Sequence, residues 1–178
     1  AAEVNPLVPT PTANVKPGLG FDLPLPIAAV EKPQTTHFSI VDKWGNAVSN
    51  TYTLNGGYGS GIVVEGAGFL LNNEMDDFAA KPGVPNQFGV VGSDANSVQP
   101  NKRPLSSMSP TIATKDGKVA LVLGTPGGSR IFTSVYQVLV DVLDYQLPIA
   151  EAQATGRFHH QLLPALRIEY EAGKFSDA

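Results

Sequence analysis

The chain changes character abruptly near residue 35, and this change limits the folds open to it. Residues 1–34 are dense in proline and show almost no polar–apolar periodicity. Proline fixes φ and removes a backbone donor, so this density favours extended or polyproline-like backbone over a helix or a central strand. We therefore predict a surface-crossing tail over 1–34 and a folded domain beyond it. The prolines are Pro6, Pro9, Pro11, Pro17, Pro24, Pro26 and Pro33.

Strand-like sequence begins directly after this boundary. Residues 37–41 and 47–54 are rich in β-branched and aromatic side chains and flank a polar turn at 42–46. A later segment, 81–104, is loop-like because glycine and proline recur throughout it. A loop of that length in a compact domain is usually a lid or a binding loop.

A second hairpin is predicted further along the chain. Residues 110–114 and 118–123 flank Asp116-Gly117, a dipeptide typical of two-residue hairpin turns. The apolar spacing after Gly127-Gly128-Ser129 predicts a helix over 130–143, and Leu147-Pro148 separates it from a second helix that begins at Ile149. Hairpins followed by helices indicate an α+β or layered α/β domain.

Composition excludes several classes of function. Of the 178 residues, 42% are hydrophobic and 16% charged, which is typical of a globular domain. The net charge of −4 and the absence of a lysine or arginine run argue against nucleic acid as a partner. The chain has no cysteine, which excludes disulfide and thiol chemistry. No apolar stretch reaches the roughly 18 residues of a membrane span.

The Thr35-Thr36 pair suggests a specific chemistry only if Thr35 becomes an N-terminus. A free α-amine has a pKa near 7.7–8.0 and can take the proton of its own hydroxyl near neutral pH. This is the N-terminal threonine form of an activated nucleophile. Cleavage of the Gln34–Thr35 peptide would expose that amine. By itself a Thr-Thr pair is a weak signal, because most such pairs are ordinary strand residues.

Other stretches of the sequence support a specific interpretation of the Thr35-Thr36 pair. The chain resembles the small subunit of γ-glutamyltransferase, a family of N-terminal-nucleophile hydrolases. The resemblance is carried, in order, by TTHFSIVDKWGNAVSNTYTLN (35–55), LLNNEMDDFAAKPGVPN (70–86), PNKRPLSSMSPTI (100–112) and GTPGGSRI (124–131), with RFHHQ at 157–161. It implies an αββα sandwich, an α+β fold in which central antiparallel sheets are flanked by helices and Thr35 begins a central strand.

The resemblance also implies the catalytic residues. Thr35 would be the nucleophile both for autocleavage at Gln34-Thr35 and for attack on a γ-glutamyl carbonyl. Thr53 would orient the Thr35 hydroxyl. Gly127 and Gly128 would form an oxyanion hole through their backbone N–H groups, which is a role that suits glycine at a helix start. Without the family, Thr53 would be taken as a β-branched strand residue and the glycines as a simple strand–helix turn.

A set of polar residues is implied to hold the amino-acid part of the substrate. Asn55, Glu74 and Asp77 would bind the α-ammonium, which has three donors and needs acceptors. Ser106 and Ser107 would donate hydrogen bonds to the α-carboxylate, together with an arginine of the large subunit. Many bacterial relatives have glutamine at the Glu74 position, so the extra negative charge here is expected to alter affinity or acceptor choice.

Two aromatic features complete the expectations. Phe88 stands where many bacterial members have a lid tyrosine, and the missing hydroxyl predicts looser lid closure and a wider substrate range. His159-His160 suggests a metal site, but adjacent side chains on one element do not face one ion, so we favour a structural role. We expect no metal and no organic cofactor.

The implied whole is a heterodimer matured from a zymogen. Residues 1–34 would be the end of the large subunit, and 35–178 would be the small catalytic subunit without its C-terminal end. A periplasmic or secreted location follows from the resemblance alone. Two alternatives stay open: a cephalosporin acylase of the same superfamily, which would share Thr35, Thr53 and the two glycines, and an uncleaved, inactive binding or scaffold form.

Overall fold

The computed structural model of the chain describes residues 35–163 and 167–175. The predicted tail at 1–34, with Gln34 at the predicted cleavage point, lies outside the described residues. The description therefore begins at Thr35, the predicted nucleophile.

The first predicted hairpin is confirmed. Strands β1 (Thr36–Val41) and β2 (Ala47–Tyr52) pair antiparallel, so that the first residue of β1 lies opposite the last residue of β2. Asp42 holds the turn because its carboxylate accepts hydrogen bonds from the backbone N–H groups of Trp44 (2.8 Å) and Asn46 (2.9 Å). The side-chain amide of Asn46 donates a third at 2.7 Å, and this bond is the main cause of a lowered pKa for Asp42.

The second hairpin is also confirmed, with its first strand shifted by one residue from the predicted range. Strands β3 (Thr111–Lys115) and β4 (Lys118–Leu123) flank Asp116 and Gly117, whose φ angles are 52° and 73°. Two successive residues with positive φ are the requirement of a type I′ turn, which matches the twist of the strands it joins.

Two helices follow, as predicted. Helix α1 spans Ile131–Leu143 and is preceded by a 3-10 turn at Gly128–Arg130, and α2 spans Ile149–Ala154. Ile131 is 1% exposed, and burying a side chain of this size contributes roughly 1.5–3 kcal/mol. The buried face of α1 packs on the end of β4 and on α2. This core consists of Leu123, Ile131, Val135, Val138 and Ala152.

Contacts between the two hairpins place the loop after β4 beside the start of β1. The Ser49 hydroxyl donates to the carbonyl of Leu123 at 2.9 Å. A Cβ on Gly124 would overlap the imidazole of His37, so glycine permits this close approach. Since His37 lies two residues after Thr35, the chain that leads into α1 passes close to the predicted nucleophile.

The remaining described residues are largely loop. Short 3-10 turns occur at Glu74–Asp77 and Asp94–Asn96, and a small sheet pairs β5 (Phe158–His159) with β6 (Glu169–Tyr170). Apart from the second of these 3-10 turns and one β-bridge between Pro85 and Val91, the predicted loop at 81–104 is confirmed. The composition of antiparallel hairpins and helices agrees with the predicted α+β class.

Candidate active site

The register of the first hairpin places Thr35 opposite Thr53. Because Thr36 pairs with Tyr52, the residues just outside the ladder face each other. The Thr35 hydroxyl donates to Oγ1 of Thr53 at 3.1 Å, and that oxygen also accepts the N–H of Asn55 at 2.9 Å. Two donors therefore fix Thr53 Oγ1 in place, and Thr53 in turn fixes the direction of the Thr35 oxygen.

Asn55 is held with one face toward the cleft. It is 6% exposed, has a φ of 72°, and donates from Nδ2 to the carbonyl of Asn73 at 3.2 Å. Asn73 also accepts the N–H of Gly56 on its side-chain oxygen at 2.8 Å. Within residues 35–163 and 167–175, no hydrogen-bond donor contacts Oδ1 of Asn55, and this oxygen remains accessible to solvent. Asn55 therefore offers a free acceptor.

Glu74 and Asp77 form a hydrogen-bonded carboxyl pair on one 3-10 turn. Burial raises the pKa of Glu74 to about 7, and the hydrogen bond and charge of Asp77 act in the same direction. Burial also raises the pKa of Asp77; the bond with Glu74 opposes this rise, and the charge of Asp76 adds to it. Two close carboxyl groups share a proton in this way, so the pair titrates as a unit.

The two serines present hydroxyl groups to the same space. Oγ of Ser106 accepts the N–H of Met108 at 3.2 Å, which leaves its hydrogen available to a ligand. The Ser107 hydroxyl has no partner in the described part of the chain, while its carbonyl accepts from Ser109 at 3.1 Å. Both side chains suit a ligand that accepts hydrogen bonds.

The loop at 124–128, here called the oxyanion loop, ends in two glycines with positive φ angles, which residues with a Cβ adopt less readily. Gly127 has φ 146° and ψ 13°, and Gly128 has φ 58°. The carbonyl of Gly127 accepts the N–H of Arg130 at 3.2 Å. Among the described residues, the N–H groups of Gly127 and Gly128 meet no acceptor. They are therefore available to stabilise a developing negative charge.

Phe88 covers this loop from a tight turn at residues 86–90, here called the lid turn. A Cβ on Gly128 would lie 3.1 Å from Cδ1 of Phe88, so the ring packs directly on the glycine. Asn86 shapes the turn, since its Oδ1 accepts the N–H groups of Phe88 and Val90, each at 3.0 Å. The predicted lid residue thus lies against the predicted oxyanion hole.

These residues line one cleft that is open to solvent, here called the Thr35 cleft. Every sequence-predicted site residue within the described part lines it except Gly127, which directly precedes a lining residue. The catalytic and binding roles of these site residues stay predictions, whereas their proximity is a property of the fold. The predicted residues in the lining are Thr35, Thr53, Asn55, Glu74, Asp77, Phe88, Ser106, Ser107 and Gly128.

Sequence reasoning missed two supporting residues, Asn73 and Asn86. Each uses its side chain to hold a loop from which a predicted residue projects. Their only sequence signal is an asparagine in a glycine- or proline-rich segment, which is typical of turns in general.

The structure gives no reason to place a metal at the histidine pair. Over residues 35–163 and 167–175, no group of three or more His, Cys, Asp or Glu side chains is arranged to hold an ion. His159 is 4% exposed, whereas His160 is exposed, so the two side chains do not share one environment. In the same ranges, no helix is long and apolar enough to cross a bilayer.

Comparison with known proteins agrees with this geometry. Residues 8–178 match the model of the gamma-glutamyltranspeptidase family. The chain is 64% identical over 172 residues to the glutathione hydrolase proenzyme of Pseudomonas aeruginosa, an alignment that covers 97% of this chain and 29% of that protein. It is 59% identical over 160 residues to the Escherichia coli glutathione hydrolase proenzyme, covering 89% and 26%.

Solved structures give the same result for the fold. A gamma-glutamyltranspeptidase from Pseudomonas nitroreducens, complexed with L-DON, is 71% identical and matches with a TM-score of 0.71. The match covers 75% of this chain and 69% of that one, and it confirms the predicted fold class. The chain spans 29% and 26% of the two curated proenzymes, so it corresponds to a part of their length.

Proposed function

Because this chain belongs to the γ-glutamyltranspeptidase family, we propose that it carries the nucleophile and substrate clamp of a γ-glutamyl hydrolase and transferase. The observation that supports this most is the Thr35 cleft, in which a held threonine hydroxyl, Gly128 of the oxyanion loop and a carboxyl pair meet. The substrates are glutathione and other γ-glutamyl compounds.

Maturation is proposed to start from the same hydroxyl. The Thr35 oxygen attacks the Gln34 carbonyl, the peptide bond breaks as an ester forms, and water hydrolyses the ester. The products are a Gln34 carboxylate and a Thr35 bearing a free α-amine. Support comes from the Thr53 bond that directs the hydroxyl and from the curated relatives, which are proenzymes.

The freed amine then serves as the base of the reaction. It takes the Thr35 hydroxyl proton as the oxygen attacks the γ-carbonyl, and the N–H groups of Gly127 and Gly128 stabilise the oxyanion. The protonated amine returns the proton to the leaving nitrogen, and a γ-glutamyl ester on Thr35 remains. Water releases glutamate from the ester, whereas an amino acid or peptide amine forms a new γ-glutamyl product.

The polar lining fits an amino acid in one orientation. The free oxygen of Asn55 and the carboxyl pair Glu74–Asp77 accept from the α-ammonium, and the pair gives up its shared proton when this cation binds. Ser106 and Ser107 donate to the α-carboxylate. This arrangement leaves the γ-carbonyl to face Thr35.

A donor that lacks the α-amine tests this assignment against the acylase alternative. We expect the mature enzyme to release the same leaving group from a γ-glutamyl donor at least about 10²-fold faster than from its glutaryl analogue. The factor reflects charge-assisted hydrogen bonds of about 1.5–3 kcal/mol each. Both donors are compared by kcat/KM. Equal rates, or a preference for the glutaryl donor, would favour a side-chain acylase.

The pKa of Glu74 predicts a pH-dependent KM for γ-glutamyl donors. Binding the α-ammonium requires the deprotonated pair, so below about pH 7 binding must expel a proton. We expect KM to rise by up to about tenfold per pH unit below 7 and to level off above it. Glu74→Gln removes this ionisation and should flatten the profile between pH 6 and 8. An unchanged profile in Glu74→Gln would show that another group controls KM.

The partner is proposed to be the large subunit of the same precursor, which gives a heterodimer. The first hairpin supports this, because apolar side chains of both strands are exposed in the described chain. Exposed apolar side chains gathered on one hairpin are typical of an interface. A periplasmic or secreted location belongs to the same proposal. The exposed side chains are Phe38 (39%), Ile40 (55%), Val41 (54%), Val48 (48%) and Tyr52 (56%).

A further inference from the structure

A line of partly buried hydrogen bonds connects helix α1 to the lid turn. Oγ1 of Thr133 lies 2.9 Å from Nδ1 of His159, and Nε2 of His159 lies 3.0 Å from Oε1 of Gln161. The Gln161 amide then donates to the carbonyl of Gly89 at 2.9 Å. Gly89 follows Phe88 directly, so this line ends beside the residue that covers the oxyanion loop.

The donor of Gln161 sets the direction of its hydrogen bond with His159. Because Nε2 of Gln161 donates to Gly89, its oxygen faces His159 and requires an N–H there. An N–H on Nε2 meets this need. The Thr133 hydroxyl has one hydrogen and lies within hydrogen-bond distance of both Nδ1 of His159 (2.9 Å) and the Arg130 carbonyl (3.0 Å), so it does not fix the state of Nδ1. The opposite tautomer would rotate the Gln161 amide and place its oxygen against the Gly89 carbonyl. An N–H on Nε2 of His159 therefore keeps the Gln161 donor directed at the lid turn.

The environment of His159 holds the ring in this orientation. Its side chain is 4% exposed and packs edge to face with Phe132, with ring centroids 5.9 Å apart. The Thr133 hydroxyl is attached to the first turn of α1, directly after the oxyanion loop. The same helix start therefore supports the glycine N–H groups and, through His159, the lid turn.

We propose that His159 and Gln161 are positioning residues that keep the lid turn docked on the oxyanion loop. Phe88 has no hydroxyl with which to tie the lid across the cleft, and the Gln161 bond supplies a tether from outside the cleft. Lid docking is a property of the fold, and its effect on γ-glutamyl release rests on the proposed function. A purely structural role for the histidine would leave the lid turn and donor KM unchanged.

The first test removes the tether in the complete mature enzyme with Gln161→Leu. Loss of one ordinary hydrogen bond should speed amide exchange at residues 86–90 about tenfold and lower donor kcat/KM by a similar factor, mainly through KM. Gln161→Glu keeps the acceptor for His159 but loses the donor to Gly89, and should behave similarly. Gln99→Leu, at an exposed loop position whose amide contacts only Ser97, is the matched control.

The second test uses the geometry of the ring nitrogens. A glutamine at 159 places its amide nitrogen near the Nε2 position and can still donate to Gln161, whereas an asparagine places it near Nδ1 and cannot. His159→Gln should therefore keep slow lid exchange and donor KM closer to the parent than His159→Asn does. If both variants unfold, the two Gln161 variants decide.

The outcomes separate this inference from the proposed function. Unchanged exchange at residues 86–90 in Gln161→Leu would overturn the tether. Faster exchange with unchanged kcat/KM would overturn its role in positioning. A parent enzyme that releases no γ-glutamyl product would contradict the proposed function, while the exchange measurement would still decide whether Gln161 holds the lid.

Discussion

Thr35→Ala should give a full-length precursor that is neither cleaved at Gln34–Thr35 nor able to release a γ-glutamyl leaving group. The substitution removes the oxygen that attacks in both reactions. It also leaves the α-amine inside a peptide bond, so the base is missing too. Because the two functions depend on one atom, activity should fall by at least about 10⁴-fold, as expected when a nucleophile is removed.

Two neighbouring substitutions make this result specific. Thr35→Ser keeps the hydroxyl and should retain measurable maturation and turnover. Thr36→Ala changes the adjacent threonine, whose side chain is exposed at the start of β1, and should leave both functions close to the parent level. Cleavage is read from the mass of the chain and release from the chromophore of a γ-glutamyl donor. Surviving release in Thr35→Ala would place the nucleophile elsewhere.

Loss of stability does not explain such an effect. In the folded chain the Thr35 hydroxyl makes one partly buried hydrogen bond, to Thr53. Removing a bond of this kind costs about 0.5–1.5 kcal/mol, which is a small fraction of the stability of a domain. Thr35→Ala should therefore fold, and its thermal midpoint should lie close to that of the parent precursor.

Local chemistry made the hairpins and α1 predictable from the sequence. Asp116-Gly117 can adopt the two positive φ angles of its turn, and the apolar spacing of α1 follows the helical period. The observed strand ends differ from the predicted ones by one or two residues. Hydrogen-bond pairing with the neighbouring strand, rather than the propensity of each residue, decides where a strand ends. The α+β class followed from these elements.

The site was predictable only through the family resemblance. Taken alone, Thr53 is an ordinary strand residue, and Glu74 with Asp77 resembles a solvated turn. Their proximity depends on contacts between residues far apart in the chain, which no local pattern encodes. The same reason explains why Asn73, Asn86 and the Gln161 tether were missed.

Gly128→Ala should lower kcat for γ-glutamyl release by about 10²-fold or more, the usual cost of losing an oxyanion donor. Two features of the structure lead to this expectation. Gly128 has φ 58°, which disfavours a residue with a Cβ, and that Cβ would lie 3.1 Å from the Phe88 ring. The chain can relieve the contact only by moving the lid or by turning the loop that carries the N–H groups.

Gly117→Ala is the control that separates the loss of kcat in Gly128→Ala from the effect of backbone strain. Gly117 has φ 73°, and a Cβ there would meet nothing within 4 Å. Both substitutions should therefore lose a similar free energy of unfolding, about 1–3 kcal/mol, while only Gly128→Ala loses turnover. Denaturant unfolding and kcat of the mature enzyme measure the two quantities. Equal kcat in the two variants would remove Gly128 from the oxyanion hole.

The double variant Gly128→Ala/Phe88→Ala identifies which movement occurs. If the Cβ acts by pushing the Phe88 ring, truncating that ring relieves the contact and kcat should recover at least about tenfold relative to Gly128→Ala, because coupled neighbours are non-additive. If instead the φ change turns the N–H away, the double variant should be no faster than the single one. Either result shows which movement lowers kcat in Gly128→Ala, since Phe88 is the nearest group to a Cβ at position 128.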